Sequence, residues 1–291
     1  MTSTGPVDPP LLAVRDAVGR ALAEDILPLG DLTASLVPAA TMARAKIVAR
    51  RPGVVAGRLC ALEAFAQVDP TVVVDWELDD GSPVVAGSVV GSVAGALRSI
   101  LTAERTALNF LCHLSGVATT ASQYVQVVSA ANRATRVLDT RKTTPGLRAL
   151  EKAAVRAGGA FNHRGNLSEA ILVKDNHLGG LGIAEAVSRA RQWWPGRLVE
   201  VECDRADQVT EAIEAGAAAV LLDNMTPAEV ASCVALARVG HPGTRVLVEV
   251  SGGVTLDTAP HYAAAGADLI SVGAITHSAP VLDLGLDLEE D

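Results

Sequence analysis

Aromatic side chains are scarce, at 3% of the 291 residues, and there is no basic excess, the formal net charge being -9. Both shortages argue against a general nucleic-acid binder, which pairs a basic face with aromatic platforms for stacked bases. Cysteine is sparse too. Cys60, Cys112, Cys203 and Cys233 stand far apart and form neither a CxxC pair nor a Cys/His ligand pattern. That argues against a zinc site or a disulfide framework and fits a reduced, cytoplasmic setting. Long apolar runs are missing as well. The most apolar window, residues 215–222, runs straight into Asp223 and Asn224, well short of the ~20 apolar residues that a membrane-spanning helix needs. The first ten residues hold prolines and small polar side chains without a basic region leading into an apolar core. They are read as a loose tail rather than a signal peptide.

What is present is the material of a folded core, with 49% hydrophobic and 20% charged residues. The length allows one large domain or two unequal ones. From about Arg136 onward, short runs rich in Val, Leu and Ile alternate with Ala-rich stretches of helical period. This is the signature of repeated βα units and a parallel sheet. Strands are expected at residues 136–138, 171–173, 198–201, 219–222, 245–250 and 268–272, with helices at 147–157, 183–193, 206–215, 227–239 and 256–265. Residues 161–164 fit either a further short strand or a long loop. The preceding part reads as a small α+β domain: a helix at 11–24 and strands at 46–50, 72–78 and 83–93, broken by Gly and Pro. A helical stretch from Ser99 to about Ala131, with a break near Ser115 and Gly116, would join the halves, and the boundary is placed near Gly116.

In barrels of βα units, functional groups come from the C-terminal ends of the strands and the loops after them. Here the strand ends deliver, in order, Asp139 with Arg141 and Lys142, then Lys174, Glu202, Asp223, Ser251 and Gly273. Any one of these could simply mark where a strand emerges into solvent; six in succession argue for a site. Ser251-Gly252-Gly253 and Val272-Gly273-Ala274 follow the last two strands, where glycine lets backbone N–H groups approach a phosphate, helped in the first case by a helix starting near Leu256. Between Asp139 and His177 seven Arg or Lys face four acids, a local excess of +3. Arg148, Lys152 and Arg156 recur at helical spacing and read as a solvated helix face. Arg141, Lys142, His163, Arg164 and Lys174 instead suit an anion with several carboxylates. Glu202 and Asp223, ending neighbouring strands, could hold Mg²⁺ or ribose hydroxyls, or act as a glycosidase-type acid/base pair; the adjoining phosphate loops favour the first.

These residues fall into motifs that resemble the quinolinate phosphoribosyltransferases, type II phosphoribosyltransferases of NAD biosynthesis. The resemblance runs nearly end to end. It covers Glu24-Asp25, Gly30-Asp31-Leu32-Thr33, Glu104-Arg105-Thr106-Ala107-Leu108-Asn109 and Leu114-Ser115-Gly116. The most specific stretch is Asp139-Thr140-Arg141-Lys142-Thr143-Thr144-Pro145-Gly146-Leu147-Arg148, followed by Asn162-His163-Arg164 and Lys174-Asp175-Asn176-His177. Val199-Glu200-Val201-Glu202, Leu222-Asp223-Asn224, Ser251-Gly252-Gly253 and Ser271-Val272-Gly273 complete the series. Gly165-Asn166-Leu167 and Ala160 depart from the family's usual pattern but leave the charged ligands intact.

The resemblance implies an α/β fold: an N-terminal α/β sandwich over residues 1–116, on which the tail 278–291 packs back, and an incomplete seven-stranded α/β barrel over 117–277. It implies a homodimer, or a higher oligomer, with Arg105 entering the partner's site; otherwise Arg105 would read as an exposed charge on an amphipathic helix. By motif, Arg105, Arg141, His163, Arg164 and Lys174 hold the carboxylates of quinolinate, with Thr140 and Lys142 beside them. Glu202 and Asp223 take Mg²⁺ and the ribose hydroxyls of phosphoribosyl pyrophosphate, and the Ser251 and Val272 loops take its 5-phosphate. Lys142, Lys174, Glu202 and Asp223 form the implied catalytic set. The implied reaction is phosphoribosyl transfer with decarboxylation. The alternatives are a related transferase for nicotinate or another aromatic acid, disfavoured by the number of cations, and a non-catalytic anion-binding barrel, disfavoured by the intact Glu202 and Asp223. Cys203 has no evident base beside it and reads as structural.

Overall fold

The structure, a computed structural model, describes residues 8–174, 180–239 and 245–289. Backbone proximity groups them into two compact units. The first comprises the described residues up to Ser122, together with Lys142–Gly159 and those from Ala274 on; the second comprises those of Gln123–Arg141 and Ala160–Gly273.

In the first unit, β1 (Met42–Ala49), β3 (Val73–Trp76), β5 (Val89–Ala96) and β12 (Leu284–Leu288) form an antiparallel sheet in the order β12-β1-β5-β3, while β2 (Gly53–Val54) pairs with β4 (Pro83–Val84). Ala45, Ile47 and Ala49 of β1 are fully buried at the period of two that one covered face requires. Helices α1 (Leu11–Ile26) and α2 (Arg58–Val68) pack together. Val14, Ala17, Val18 and Leu22 of α1 are buried at i, i+3, i+4 and i+8, a single helical stripe. Each fully buried Val or Leu contributes ~1.5–3 kcal/mol of transfer free energy.

Helix α3 (Leu97–Ala131) runs unbroken through Ser115 and Gly116, where the sequence suggested a break. Packing supplies the reason for both residues. Ser115 Oγ accepts from the Ala56 N–H at 2.9 Å and donates to its carbonyl at 3.1 Å. A Cβ at position 116 would stand 2.2 Å from the Pro280 carbonyl oxygen. Both small residues are there to let other backbone in.

Helix α4 (Arg148–Ala157) also departs from expectation. Lys152 is buried, and Arg148 and Arg156 are half-buried, so they do not form a solvated face. Six consecutive residues of α4, Leu150 to Val155, are buried, and the enclosed polar groups are satisfied internally. Glu151, with no exposed surface, faces His113 Nε2 at 2.8 Å and accepts the Thr144 N–H at 3.1 Å. A short α9 (Ala274–His277) contacts α4 in the same unit.

The second unit is built on six parallel strands: β6 (Arg136–Leu138), β7 (Ile171–Val173), β8 (Val199–Cys203), β9 (Ala219–Asp223), β10 (Leu247–Ser251) and β11 (Leu269–Ser271), in the order β6-β11-β10-β9-β8-β7. Phe161 adds a single parallel bridge to Leu138 on the outer side of β6, so the 161–164 segment supplies a rudimentary seventh position. Among the described residues no ladder joins it to β7, and the ring is open there. The connecting helices are α5 (Ile183–Trp193), α6 (Ala206–Glu214), α7 (Pro227–Val239) and α8 (Ala259–Ala264). Strand alternation divides this sheet cleanly. Val137, Val173, Val199, Val201, Cys203, Val220, Leu222, Val248, Val250 and Ile270 point to one face, and all are buried. The other face carries the polar residues. Among the described residues no helix is long and apolar enough to cross a membrane.

Candidate active site

Strand alternation puts the polar residues of the second unit on one face, some at the strand ends and others two residues earlier in their strands. Glu202 pairs with Leu221, and Asp223 with Ser251. Lys174, Glu202, Asp223 and Ser251 therefore end their strands on one common face, all half-buried. Lys174 Nζ forms an ion pair with Glu202 Oε2. Asp223 Oδ2 accepts from the Asn224 side-chain amide at 2.8 Å. Asn224 adopts φ 57° and donates its own N–H to the Ser251 carbonyl at 3.0 Å, which ties the β9 loop to the β10 loop.

Gly252 is required by this junction. Its φ is +93°, and a Cβ there would lie 2.3 Å from Asn224 Oδ1. Gly253 follows at φ +59°. The loop is consequently a compact glycine turn, as a phosphate cradle demands. However, α8 begins only at Ala259 and is six residues long, so the helix expected from Leu256 does not adjoin it. After β11, Val272 is buried and donates its N–H to the Leu138 carbonyl at 2.9 Å, with Gly273 half-buried beyond it.

Two residues down the strands lies a buried row: Glu200, Glu249 and Ser271, at 3%, 1% and 3% exposure. Ser271 Oγ donates to Glu249 Oε1. His163 Nε2 stands 3.2 Å from Glu200 Oε2 and 3.4 Å from Glu249 Oε1. Burial, and then the charge of Glu200, pushes the Glu249 carboxyl well above the ordinary range. The segment 161–164 is held from the other side by Asp139, fully buried at the end of β6. Asp139 accepts from Asn162 Nδ2 at 2.7 Å and from the His163 N–H at 2.8 Å. Among the predicted site residues, His163 thus has both ring nitrogens engaged within the chain, because Nδ1 accepts the Arg164 N–H at 2.8 Å.

Arg164 and Arg141 are both half-buried, and Arg164 lies within the field of the Arg141 charge. Burial, then the like charge of Arg141, lowers the Arg164 pKa, with Glu200 opposing. Arg164 is anchored by a hydrogen bond from Nη1 to the Ala170 carbonyl at 3.1 Å. The departure at Gly165-Asn166 forms a small turn closed by Glu169, which accepts from both residues. Thr140, between Asp139 and Arg141, is half-buried.

The first unit holds the remaining predicted residues. Arg105 is exposed and lines a pocket of about 310 Å³ with Glu24, Asp25, Asn109 and His113. Lys142 is exposed, and its carbonyl accepts from Thr276 Oγ1 at 2.9 Å. Ala274 opens α9. Asp175, Asn176 and His177 lie outside the described residues.

The glutamates of the buried row, Glu249 above all, were not singled out as site residues by sequence reasoning. Their signal is the alternation Val199-Glu200-Val201-Glu202 and Val248-Glu249-Val250-Ser251, in which a polar residue recurs at period two inside strands that are otherwise core.

Comparison with known proteins gives a consistent result. The family model described as quinolinate phosphoribosyl transferase, N-terminal domain, matches residues 31–115, and the corresponding C-terminal domain matches residues 117–287. The chain is 41% identical over 281 residues to the nicotinate-nucleotide pyrophosphorylase [carboxylating] of Mycobacterium leprae, covering 95% of this chain and 97% of that one. The Homo sapiens protein of the same name is 40% identical, covering 88% and 85%. The solved nicotinate-nucleotide pyrophosphorylase of Francisella tularensis superposes with a TM-score of 0.91 at 38% identity, covering 99% and 100%.

Proposed function

Since the chain belongs to the quinolinate phosphoribosyl transferase family, we propose that it transfers the phosphoribosyl group of phosphoribosyl pyrophosphate to quinolinate. Decarboxylation then yields nicotinate mononucleotide, CO₂ and pyrophosphate for NAD synthesis. The observation that carries the reading is that Arg141, Arg164 and Lys174, all half-buried, belong to one unit, with Arg164 inside the field of Arg141. A pyridine bearing two carboxylates supplies the two negative charges that such a set can neutralise.

In this reading Arg141, Arg164 and Lys174 bind and orient the carboxylates, with Thr140 beside them. The pyridine nitrogen attacks the anomeric carbon as the bond to pyrophosphate breaks, through a sugar of partial positive charge. Glu202 and Asp223 hold the ribose hydroxyls. They also fit Mg²⁺, being two hard carboxylate donors on one face of adjacent strands. When bound, Mg²⁺ would neutralise charge on the leaving pyrophosphate. Lys142, next in the chain after Arg141, is assigned to the same leaving group. The Ser251-Gly252-Gly253 and Val272-Gly273-Ala274 loops take the 5-phosphate. Loss of the 2-carboxylate as CO₂ leaves an electron pair at carbon 2, stabilised by the pyridinium and the nearby cations, and a proton from solvent then forms the C–H bond of the product.

Arg105, exposed on the first unit, is assigned to the partner subunit's site in a homodimer, and the free cysteines support a reducing cytoplasmic location. Purified protein given quinolinate, phosphoribosyl pyrophosphate and Mg²⁺ should release CO₂ and nicotinate mononucleotide in equal amounts. Turnover of nicotinate in place of quinolinate, or no product, contradicts the proposal. Mixing inactive Arg105→Ala and Lys174→Ala subunits should restore part of the activity; no restoration after confirmed subunit exchange counts against a shared site.

A further inference from the structure

The cluster of His163, Glu200 and Glu249 brings three potential metal ligands together, their donor atoms within 4.8 Å of one another. The imidazole decides against a metal. Its Nδ1 accepts the Arg164 N–H at 2.8 Å, so the lone pair of Nδ1 is used and the ring proton sits on Nε2. Nε2–H then donates to Glu200 and cannot ligate an ion.

A second oxygen completes the picture. Among the described residues Glu200 Oε1 is buried without an N–H or O–H donor, while the Glu249 carboxyl lies within hydrogen-bonding reach of the Glu200 carboxyl. The two acids come from strands on either side of β9 and stand diagonally across it, Glu200 pairing with Ala219 and Glu249 with Leu221, and a carboxylate oxygen of each lies within 4.8 Å of the other. Two carboxylates this deeply buried cannot both stay ionised. A proton on Glu249 satisfies Glu200 Oε1, and Glu249 Oε1 still accepts from Ser271. The groups facing Glu249 are thus Glu200 from β8, His163 from the 161–164 segment and Ser271 from β11; Arg164 lies within the field of Glu200.

We infer that Glu249 is a positioning residue: as a neutral acid it holds Glu200 and His163 in one hydrogen-bonded chain and thereby fixes the segment that presents Arg164 to the acid substrate. The order of contacts is Ser271 to Glu249, Glu249 to Glu200, Glu200 to His163 Nε2, and His163 Nδ1 to the Arg164 N–H. The inference rests on the quinolinate reading for its kinetic consequence, but not for its chemistry.

The test compares Glu249→Ala with Glu249→Gln, whose amide reproduces a protonated carboxyl: an oxygen for Ser271 and an N–H for Glu200. Glu249→Ala should raise KM for the acid substrate about ten- to a hundredfold, in line with the cost of a small misplacement at a distance. The KM for phosphoribosyl pyrophosphate should stay within about threefold, and Glu249→Gln should recover most of the loss. Equal damage in both variants, or a loss shared equally between the substrates, overturns the inference. Should Glu249→Ala fail to fold, two measurements on wild type and Glu249→Gln remain. Imidazole ¹⁵N shifts must report the Nε2–H form of His163, unmoved by added Zn²⁺. The infrared carbonyl band of a protonated carboxylic acid must be present in wild type and absent in Glu249→Gln. An Nδ1–H form, a Zn²⁺ response or no such band overturns it. Wild-type protein inactive towards quinolinate refutes the functional reading alone, since both spectra are independent of turnover.

Discussion

The two polar rows on the parallel sheet both draw carboxylates from its strands and share β8 and β10, yet differ in what surrounds them. At the strand ends, Lys174, Glu202 and Asp223 are half-buried and within reach of a ligand. Two residues back, about 7 Å along the strand, Glu200 and Glu249 are almost wholly enclosed. Partial exposure leaves the first row open to solvent, with the Lys174–Glu202 ion pair at its edge. Enclosure forces the second row to satisfy itself with Ser271, His163 and a shared proton. The second row holds the 161–164 segment in place.

The largest expected effect separates the rows by chemistry. Asp223→Asn or Glu202→Gln should lower kcat about 10²–10³-fold, the usual cost of removing one electrostatic group at a reacting centre, while thermal unfolding stays near wild type. A variant that loses stability but keeps kcat would place that acid in the structural row.

Next in size is Arg164→Lys. A point charge replaces a planar fork, and KM for the acid substrate should rise roughly tenfold, on the scale of one charge-assisted hydrogen bond. Initial-rate measurements with each substrate varied in turn would show it; an unchanged KM would remove Arg164 from the ligand set.

A smaller effect tests the buried row by pH. In the unfolded chain Glu249 ionises near 4.5; in the folded protein, burial and Glu200 keep it protonated well above that. Stability linked to its proton is therefore present in full below that unfolded value and is lost as pH rises towards the folded one. Glutamine cannot ionise in either state. Between about pH 5 and 8, wild type should lose stability relative to Glu249→Gln, as read from urea midpoints, and parallel curves would contradict a neutral Glu249.

The smallest effect concerns thiols. Burial pushes Cys60 and Cys203 up to about 12, so neither should react with a maleimide in the native state, and Cys203, beside Glu202, should need no protection for activity. Rapid labelling of Cys203 with loss of turnover would give it a role denied to it here.

Much of the first row was legible beforehand, because a charge at the end of a Val-rich run marks both the strand's exit and its C-terminal edge. The βα alternation likewise located all six parallel strands to within a few residues. The second row was harder to read, since a glutamate inside a strand ordinarily signals a solvent face, and only register shows that Glu200 and Glu249 turn inward towards each other. The burial of α4 was hidden for a related reason. Arg148, Lys152 and Arg156 have the spacing of a surface stripe, and nothing local reveals that Glu151 meets His113 from a distant helix. Ser115 and Gly116 likewise read as a break because their partners, Ala56 and Pro280, are remote in sequence.

The buried row reaches Arg164 through Glu200 and His163, and Arg164 is the residue assigned to the acid substrate. Calorimetric titration of quinolinate and nicotinate into wild type, Arg164→Ala and Glu249→Ala tests this most directly. Wild type should prefer the dicarboxylate by roughly ten- to a hundredfold, the worth of one further charge-assisted contact. Both variants should lose most of that preference. Wild type binding the two acids equally, or Arg164→Ala retaining the full preference, would contradict the account.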